Sequence, residues 1–239
     1  MIGGKKQQKG PNRQQIANFG ATKSVLKMIQ IKSFVFGPFQ ENTYVLWDET
    51  LEAVIIDPGN SSTSEHLQLK NFITQNNLQL NRLLLTHAHI DHINGNRFVF
   101  DTWGFLPEVH KEDLPYVERH KQVADMYGLP CEESPLPKVF LKEGETVSFG
   151  KSKLEMIFTP GHSPGSITFY CREQKFIIAG DVLFYGSIGR TDLPGGDYDT
   201  LINSIKQHLF PLGDDVRVYN GHGQYTTIGF EKDNNPFLV

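Results

Sequence analysis

The sequence predicts a mixed α and β chain built from two similar halves. Strand-like apolar runs come in two series, and each series finishes with a helix and a further strand. Four of those runs end on residues able to ligate a metal: Leu83–Leu85 leads into Thr86-His87-Ala88-His89-Ile90-Asp91-His92, and later runs end at Gly161-His162, Gly180-Asp181 and Gly221-His222. Two such sheets would pack face to face with helices on their outer faces, and the ligand-bearing ends would then meet along one edge.

Taken in order, residues 29–36 alternate as a strand, and the turn-rich stretch Gly37–Asn42 leads to a second strand at Thr43–Trp47. Ala53–Ile56 is a third, closed by Asp57-Pro58-Gly59-Asn60. Ser62-Thr63-Ser64-Glu65 has capping-box spacing and opens a helix whose apolar face is Leu69, Phe72 and Ile73. This helix feeds the strand at Leu83. Residues 111–127 read as one helix on the spacing of Leu114, Val117, Val123 and Tyr127, with Gly128 as its stop. An irregular Pro-rich connection runs to Pro137. Strands follow at 139–141, 145–149, 154–158, 166–171 and 175–179. Asp199-Thr200 is expected to cap a helix carrying Leu201, Ile202, Ile205 and Leu209, and Val216–Tyr219 is the last strand.

The densest chemistry lies at 86–92. In an extended or tightly turned segment His87 and His89 point the same way, while Asp91 and His92 address a second point nearby. A single buried His is commonly satisfied by a backbone carbonyl. Four imidazole and carboxylate groups at one strand end would instead be short of partners without a cation. A Gly directly before His162, Asp181 and His222 lets the backbone turn sharply and approach a shared centre. The other histidines, His66, His110, His120 and His208, are expected at the surface, and Asn42 and Tyr44 in a structural turn.

At 239 residues, 38% hydrophobic and 21% charged, the chain is long enough to bury a substantial core and has the make-up of a soluble protein. No apolar run reaches the roughly 18 residues of a membrane span, and a cytoplasmic location is expected. Cys131 and Cys171 are too few and too far apart for a disulfide framework, so free thiols in a reducing compartment are expected. Residues 1–27 hold six basic and no acidic residues and are expected to be disordered. An upstream start codon, with Met28 the natural beginning, explains them more simply than a transit peptide. The body, 28–239, is expected to be a single domain. It carries 17 basic (23 minus 6) against 27 acidic residues, a formal charge of −10. That balance argues against nucleic acid as a partner.

The pattern Thr86-His87-x-His89-x-Asp91-His92, then His162, Asp181 and His222, resembles the metallo-β-lactamase superfamily. The text from Gly180-Asp181-Val182-Leu183-Phe184 through Gly186-Ser187-Ile188-Gly189-Arg190-Thr191-Asp192-Leu193-Pro194-Gly195-Gly196-Asp197 is similar to its short glyoxalase II-like hydrolases. The resemblance implies a four-layer αββα sandwich. It also implies that His87, His89 and His162 hold one metal, that Asp91, His92 and His222 hold another, and that Asp181 bridges them. The donors, imidazole and carboxylate without thiolate, suit zinc first, and iron or manganese as well. Two such ions, about 3.5–4 Å apart in known two-metal sites, generate hydroxide at ordinary pH and polarise a carbonyl. Asp91 would orient that nucleophile.

The reaction so implied is hydrolysis of a small-molecule acyl thioester, of the 2-hydroxyacyl type. Arg190 and Tyr225 are candidate substrate contacts, although Arg190 could equally pair with Asp192 or Asp197. The longer enzymes of this type carry an extra C-terminal helical domain, whereas here 17 residues follow His222. Two other readings stand beside it. A persulfide dioxygenase of the same superfamily would use one iron held by His87, His162 and Asp181. A metal-stabilised binding protein without turnover would need the ligands but no substrate. The oligomeric state is not legible.

Overall fold

The computed structural model describes residues 28–239 together with Met1; the expectation of disorder for the basic leader falls on residues 2–27, which lie outside the described residues. The first half forms a sheet from Gln30–Phe36 (β1), Glu41–Trp47 (β2), Glu52–Ile56 (β3), Gln79–Leu84 (β4), Pro107–His110 (β5) and Val139–Leu141 (β6), lying side by side in sequence order. β1, β2 and β3 pair antiparallel, whereas β3–β4, β4–β5 and β5–β6 are parallel. Parallel pairing demands crossovers. Thr63–Gln75 (α1) supplies the first; the second carries Ile90–Ile93 (α2) and Asn96–Trp103 (α3), and the third Leu114–Glu118 (α4) and His120–Met126 (α5).

The second half adds Thr146–Phe149 (β7), Ser152–Phe158 (β8), Ile167–Cys171 (β9), Phe176–Gly180 (β10), the small hairpin Leu183–Phe184 (β11) with Ser187–Ile188 (β12), Arg217–Asn220 (β13) and Thr226–Thr227 (β14). Its sheet runs β14-β13-β10-β9-β8-β7, with β10 and β13 parallel across Tyr198–Ser204 (α6). Ile228–Asn234 (α7) closes the chain.

Side-chain alternation explains the layers. In β3, Val54 and Ile56 face the other sheet beside Tyr44, Leu46 and Leu84, where they meet Val147, Phe149, Phe169, Phe176 and Ile178. The intervening Ala53 and Ile55 turn outward to Leu69 and Ile73 of α1 and Val99 of α3. On the opposite flank, Ile177, Ala179 and Val218 pack on Leu201, Ile205 and Leu209. Central strands β9 and β10 are buried at every position, so they read as continuous apolar runs, while β7 alternates. The result is the expected αββα sandwich.

The expected capping box at Ser62 is present, with Glu65 reaching back. Two local expectations are corrected. The stretch 111–127 is a short 3₁₀ turn followed by two helices that break at Arg119, with Pro115 inside the first turn of α4. The cap of the later helix is Asp197, whose Oδ1 accepts from the Thr200 backbone at 2.8 Å, not Asp199-Thr200; beyond Ser204 that helix widens into a π turn at Ile205–Leu209.

Phe169→Ala, which empties a fully buried position between the sheets, is expected to lower the unfolding free energy by about 3–5 kcal/mol. Urea denaturation of the metal-free protein measures this, and a loss below about 1 kcal/mol would contradict the two-sheet core.

Candidate metal centre

Four strand ends deliver the predicted residues to one edge of the sandwich. Beyond β4 the backbone is tied on both sides: the Thr86 amide donates to Asp57 Oδ1 at 2.7 Å, and the Ile167 amide donates to the Thr86 carbonyl at 2.8 Å. This extended stretch carries His87 and His89, and His89 then N-caps α2, so Asp91 and His92 fall in its first turn. The expected alternation thus has a physical form, extended chain followed by a helical turn.

Gly180 takes φ +52° at the end of β10, and a Cβ there would stand 2.3 Å from Thr86 Oγ1. At Gly221 a Cβ would stand 2.0 Å from Asp181 Oδ1, so only glycine lets the β13 end approach the carboxylate.

All seven predicted ligands meet here. Ligand atoms of His87, His89 and His162 lie within 4.8 Å of one another, as do those of Asp91, His92 and His222. In the first group His162 Nε2 is 2.8 Å from His89 Nδ1 and 3.2 Å from His87 Nε2. Asp181 stands between the groups: its Oδ1 is 3.3 Å from His92 Nε2, and its Oδ2 lies 3.5 Å from His162 Nε2 and 3.4 Å from His222 Nε2. Asp91 Oδ2 is 3.2 Å from His222 Nε2.

The outward nitrogens show which protons these rings carry. His92 Nδ1 donates to Asp57 Oδ2 at 3.0 Å, His162 Nδ1 to the Arg190 carbonyl at 2.8 Å, and His222 Nδ1 to the Phe39 carbonyl at 3.1 Å. Thr86 Oγ1 donates to Asp57 Oδ2 at 2.5 Å, which leaves it to accept from His87 Nδ1 at 3.1 Å. With the proton outward, each Nε2 presents a lone pair inward. His89 is reversed, with Nδ1 inward and its ring edge-on to Tyr116. His162 Nε2 thus faces both His89 Nδ1, at 2.8 Å, and His87 Nε2, at 3.2 Å, a spacing at which the three nitrogens can share one cation. His92 Nε2 and Asp181 Oδ1 are buried without a partner among the described residues. The two clusters therefore fit divalent cations, and Asp181 stands between them.

Without cations the electrostatics are divided. Burial holds His87 well below the usual histidine range and lowers His89 to about 3. Burial works against His222 as well, yet its contacts with Asp181 and Asp91 raise it to about 10. His92 is buried too but is raised by Asp181 and Asp91. Burial would raise Asp181 and Asp91, but the His92 charge and the hydrogen bond from His222 together outweigh it, holding both below the usual carboxylate range.

Two acids behind the rings had no sequence signal beyond a turn. Asp57 joins His87, through Thr86, to His92, so a third close grouping of Asp57, His87 and His92 is a supporting network. Glu41 is fully buried, accepts from Thr43 Oγ1 at 2.8 Å, and has its Oε1 3.9 Å from His92 Nδ1. Burial pushes its carboxyl well above the usual range.

The remaining expectations divide. Arg190 is exposed and paired with Asp192 through two 2.7 Å bonds. Tyr225 is also exposed. Asn42 Nδ2 donates to the carbonyls of Asn220 and Gly223, and Tyr44 to that of Asn220, so both brace the loop that carries His222. Of the four histidines expected at the surface, His208 is exposed and His66 and His110 are half-buried. His120 is buried, with Nε2 3.0 Å from Asn94 Oδ1, because the break at Arg119 turns it inward. Cys131 and Cys171 are free, as expected. Among the described residues no helix is long and apolar enough to cross a membrane.

The chain belongs to the metallo-β-lactamase superfamily, whose family model matches residues 36–222. It is 43% identical over 206 residues to hydroxyacylglutathione hydrolase GloC of Haemophilus influenzae, covering 84% of this chain and 93% of that one. Among solved structures it resembles the BLEG-1 B3 metallo-β-lactamase, with TM-score 0.81, 37% identity, and 88% and 100% of the two chains covered. A second protein, solved in a di-iron-bound form, matches with TM-score 0.79 and 37% identity over 87% of this chain and all of its own.

Gly221→Ala is expected to leave the fold intact but to cut bound metal well below the wild-type stoichiometry, as read by elemental analysis of the purified protein. A pH dependence follows for the metal-free form. His89 falls from its ordinary 6.5 to about 3, so its contribution is complete above pH 6.5 and is lost as pH falls toward 3. His222 rises from 6.5 to about 10, so its contribution is complete below pH 6.5 and is lost as pH rises toward 10. Urea titrations across pH should show His89→Ala flattening the acid limb and His222→Ala the alkaline one; unchanged limbs would contradict these assignments.

Proposed function

We propose that the protein is a metal-dependent hydrolase of 2-hydroxyacyl thioesters, of the glyoxalase II type. The observation that carries this reading is the convergence of two ligand groups on Asp181 in a chain 43% identical to a hydroxyacylglutathione hydrolase. His87, His89 and His162 would hold one cation, Asp91, His92 and His222 a second, and Asp181 both. Zinc is the first expectation for both positions. The di-iron relative supports iron as an alternative, and manganese fits the same oxygen and nitrogen donors.

Divalent cations bound here would supply hydroxide near neutral pH and polarise the substrate carbonyl. The chain's own residues do the positioning. Asp91 Oδ2, 3.2 Å from His222 Nε2, can accept a hydrogen bond from the nucleophile and orient it toward the acyl carbon. The hydrogen bonds on the outward nitrogens keep four imidazoles aimed while charge develops in front of them. Arg190 can contact a substrate carboxylate by leaving Asp192, since an exposed pair of this kind holds by only about 0–1 kcal/mol. Tyr225 offers an exposed ring for the thiol portion. A small-molecule substrate and a cytoplasmic setting accord with the acidic body and the free thiols; neither nucleic acid nor a membrane is part of this reading.

Metal analysis combined with turnover of S-lactoylglutathione tests the proposal. Wild type is expected to carry close to two metals per chain and to hydrolyse the thioester. Asp181→Ala should lose metal and at least about 10²–10³-fold in kcat/KM. One iron per chain, no hydrolysis and oxygen uptake with glutathione persulfide would overturn it in favour of the dioxygenase. The likeness to BLEG-1 gives a second arm: nitrocefin cleaved faster than the thioester would move the substrate to β-lactams. Metal-dependent stability with no turnover of any of these would favour a binding protein.

A further inference from the structure

Asp113 lies at the end of the 3₁₀ turn after β5, outside the seven ligands and outside the sequence pattern that announced them. Its carboxylate is fully buried. Oδ2 accepts from the Ala88 amide at 2.8 Å, and Oδ1 accepts from Ser163 Oγ and from the Gly165 amide, each at 2.6 Å. Ala88 is the residue between His87 and His89; Ser163 follows His162. One side chain therefore bonds both loops that supply the first ligand group, loops separated by more than seventy residues in the chain.

The fit is tight. A Cβ on Gly165 would stand 2.6 Å from Asp113 Oδ1 and 2.8 Å from the Asp113 amide, so Gly165 is small because Asp113 occupies that space. The same segment continues to Tyr116, whose ring stands edge-on to His89 at 5.5 Å and whose hydroxyl donates to the Pro194 carbonyl. No comparable contact from this segment reaches Asp91 or His222 among the described hydrogen bonds; His222 is held instead from the β1–β2 turn.

We propose that Asp113 is a positioning residue for the first metal position: it fixes the spacing between the His87–His89 loop and the His162 loop, and the second position is held independently of it. The inference rests on the metal assignment above, and it assigns a role to a residue that touches neither metal nor substrate. A carboxylate is required because three donors converge on two oxygens, and an amide would turn an NH₂ toward a backbone N–H or a hydroxyl. Loss of an outer partner of this kind typically costs about 10–100-fold in metal affinity.

The test is a cobalt(II) titration of metal-free full-length protein, followed by visible absorption and by chelator competition. His89→Ala identifies which spectral component belongs to the first position. Asp113→Asn is expected to weaken that component by about 10-fold or more while leaving the other within about 2-fold. Ser163→Ala, which removes one donor and keeps the carboxylate, should weaken the same component less. If Asp113→Asn does not fold, the Ser163→Ala titration decides. Equal weakening of both components would reduce Asp113 to a general structural role, and unchanged affinity in both variants would remove it from the site; either overturns the proposal. Wild type that binds no cobalt would instead overturn the metal assignment and this inference with it.

Discussion

An imidazole has two nitrogens, and a ring can offer a lone pair inward only if its proton is held on the other side. In this fold four rings have that proton fixed by the protein, on Asp57, Thr86, the Arg190 carbonyl and the Phe39 carbonyl. The inward faces then form a crowd of lone pairs and carboxylate oxygens that only positive charge can relieve. Much of the sandwich serves that arrangement. Strands end where they do, and glycines stand where they do, so that rings from four separate segments reach one place with their backs supported.

The support is not uniform. His92 alone leans on a carboxylate, Asp57, with the buried Glu41 close behind it, whereas His162 and His222 lean on neutral carbonyls. A carboxylate behind an imidazole makes it a stronger donor. The second group, which also contains Asp91, is therefore the more electron-rich of the two, and Asp181 shares its charge with both. The two groups thus differ in donor strength although both are built from imidazole and carboxylate.

The sequence disclosed the ligands because their chemistry is dense and punctuated: apolar run, then glycine, then ligand, three times, after a first loop with four ligands in six positions. It disclosed the layers because strands such as β3 divide their side chains by parity between core and helices. The supporting acids stayed hidden. Asp57 sits in Asp-Pro-Gly-Asn, which reads as a turn. Asp113 begins a helical segment, where an acid reads as favourable to the helix end. Their partners lie 25 to 52 residues away, a separation that no local pattern encodes. The helix over 111–127 failed for a related reason. Its spacing suited an amphipathic helix, but Pro115 and the inward turn of His120 toward Asn94 broke it in two.

His222 has its ring held by the turn between β1 and β2, near the start of the described chain, although it lies close to the C-terminus. The adjoining backbone is stitched there too, with the Asn42 amide donating to the Gly221 carbonyl at 2.7 Å. One of the three ligands of the second group is thus secured by a contact across 183 residues, while Asp91 and His92 lie between its two ends. That ligand takes its place only when the two halves of the sandwich have docked, so the second group forms with the finished fold and not within either half alone.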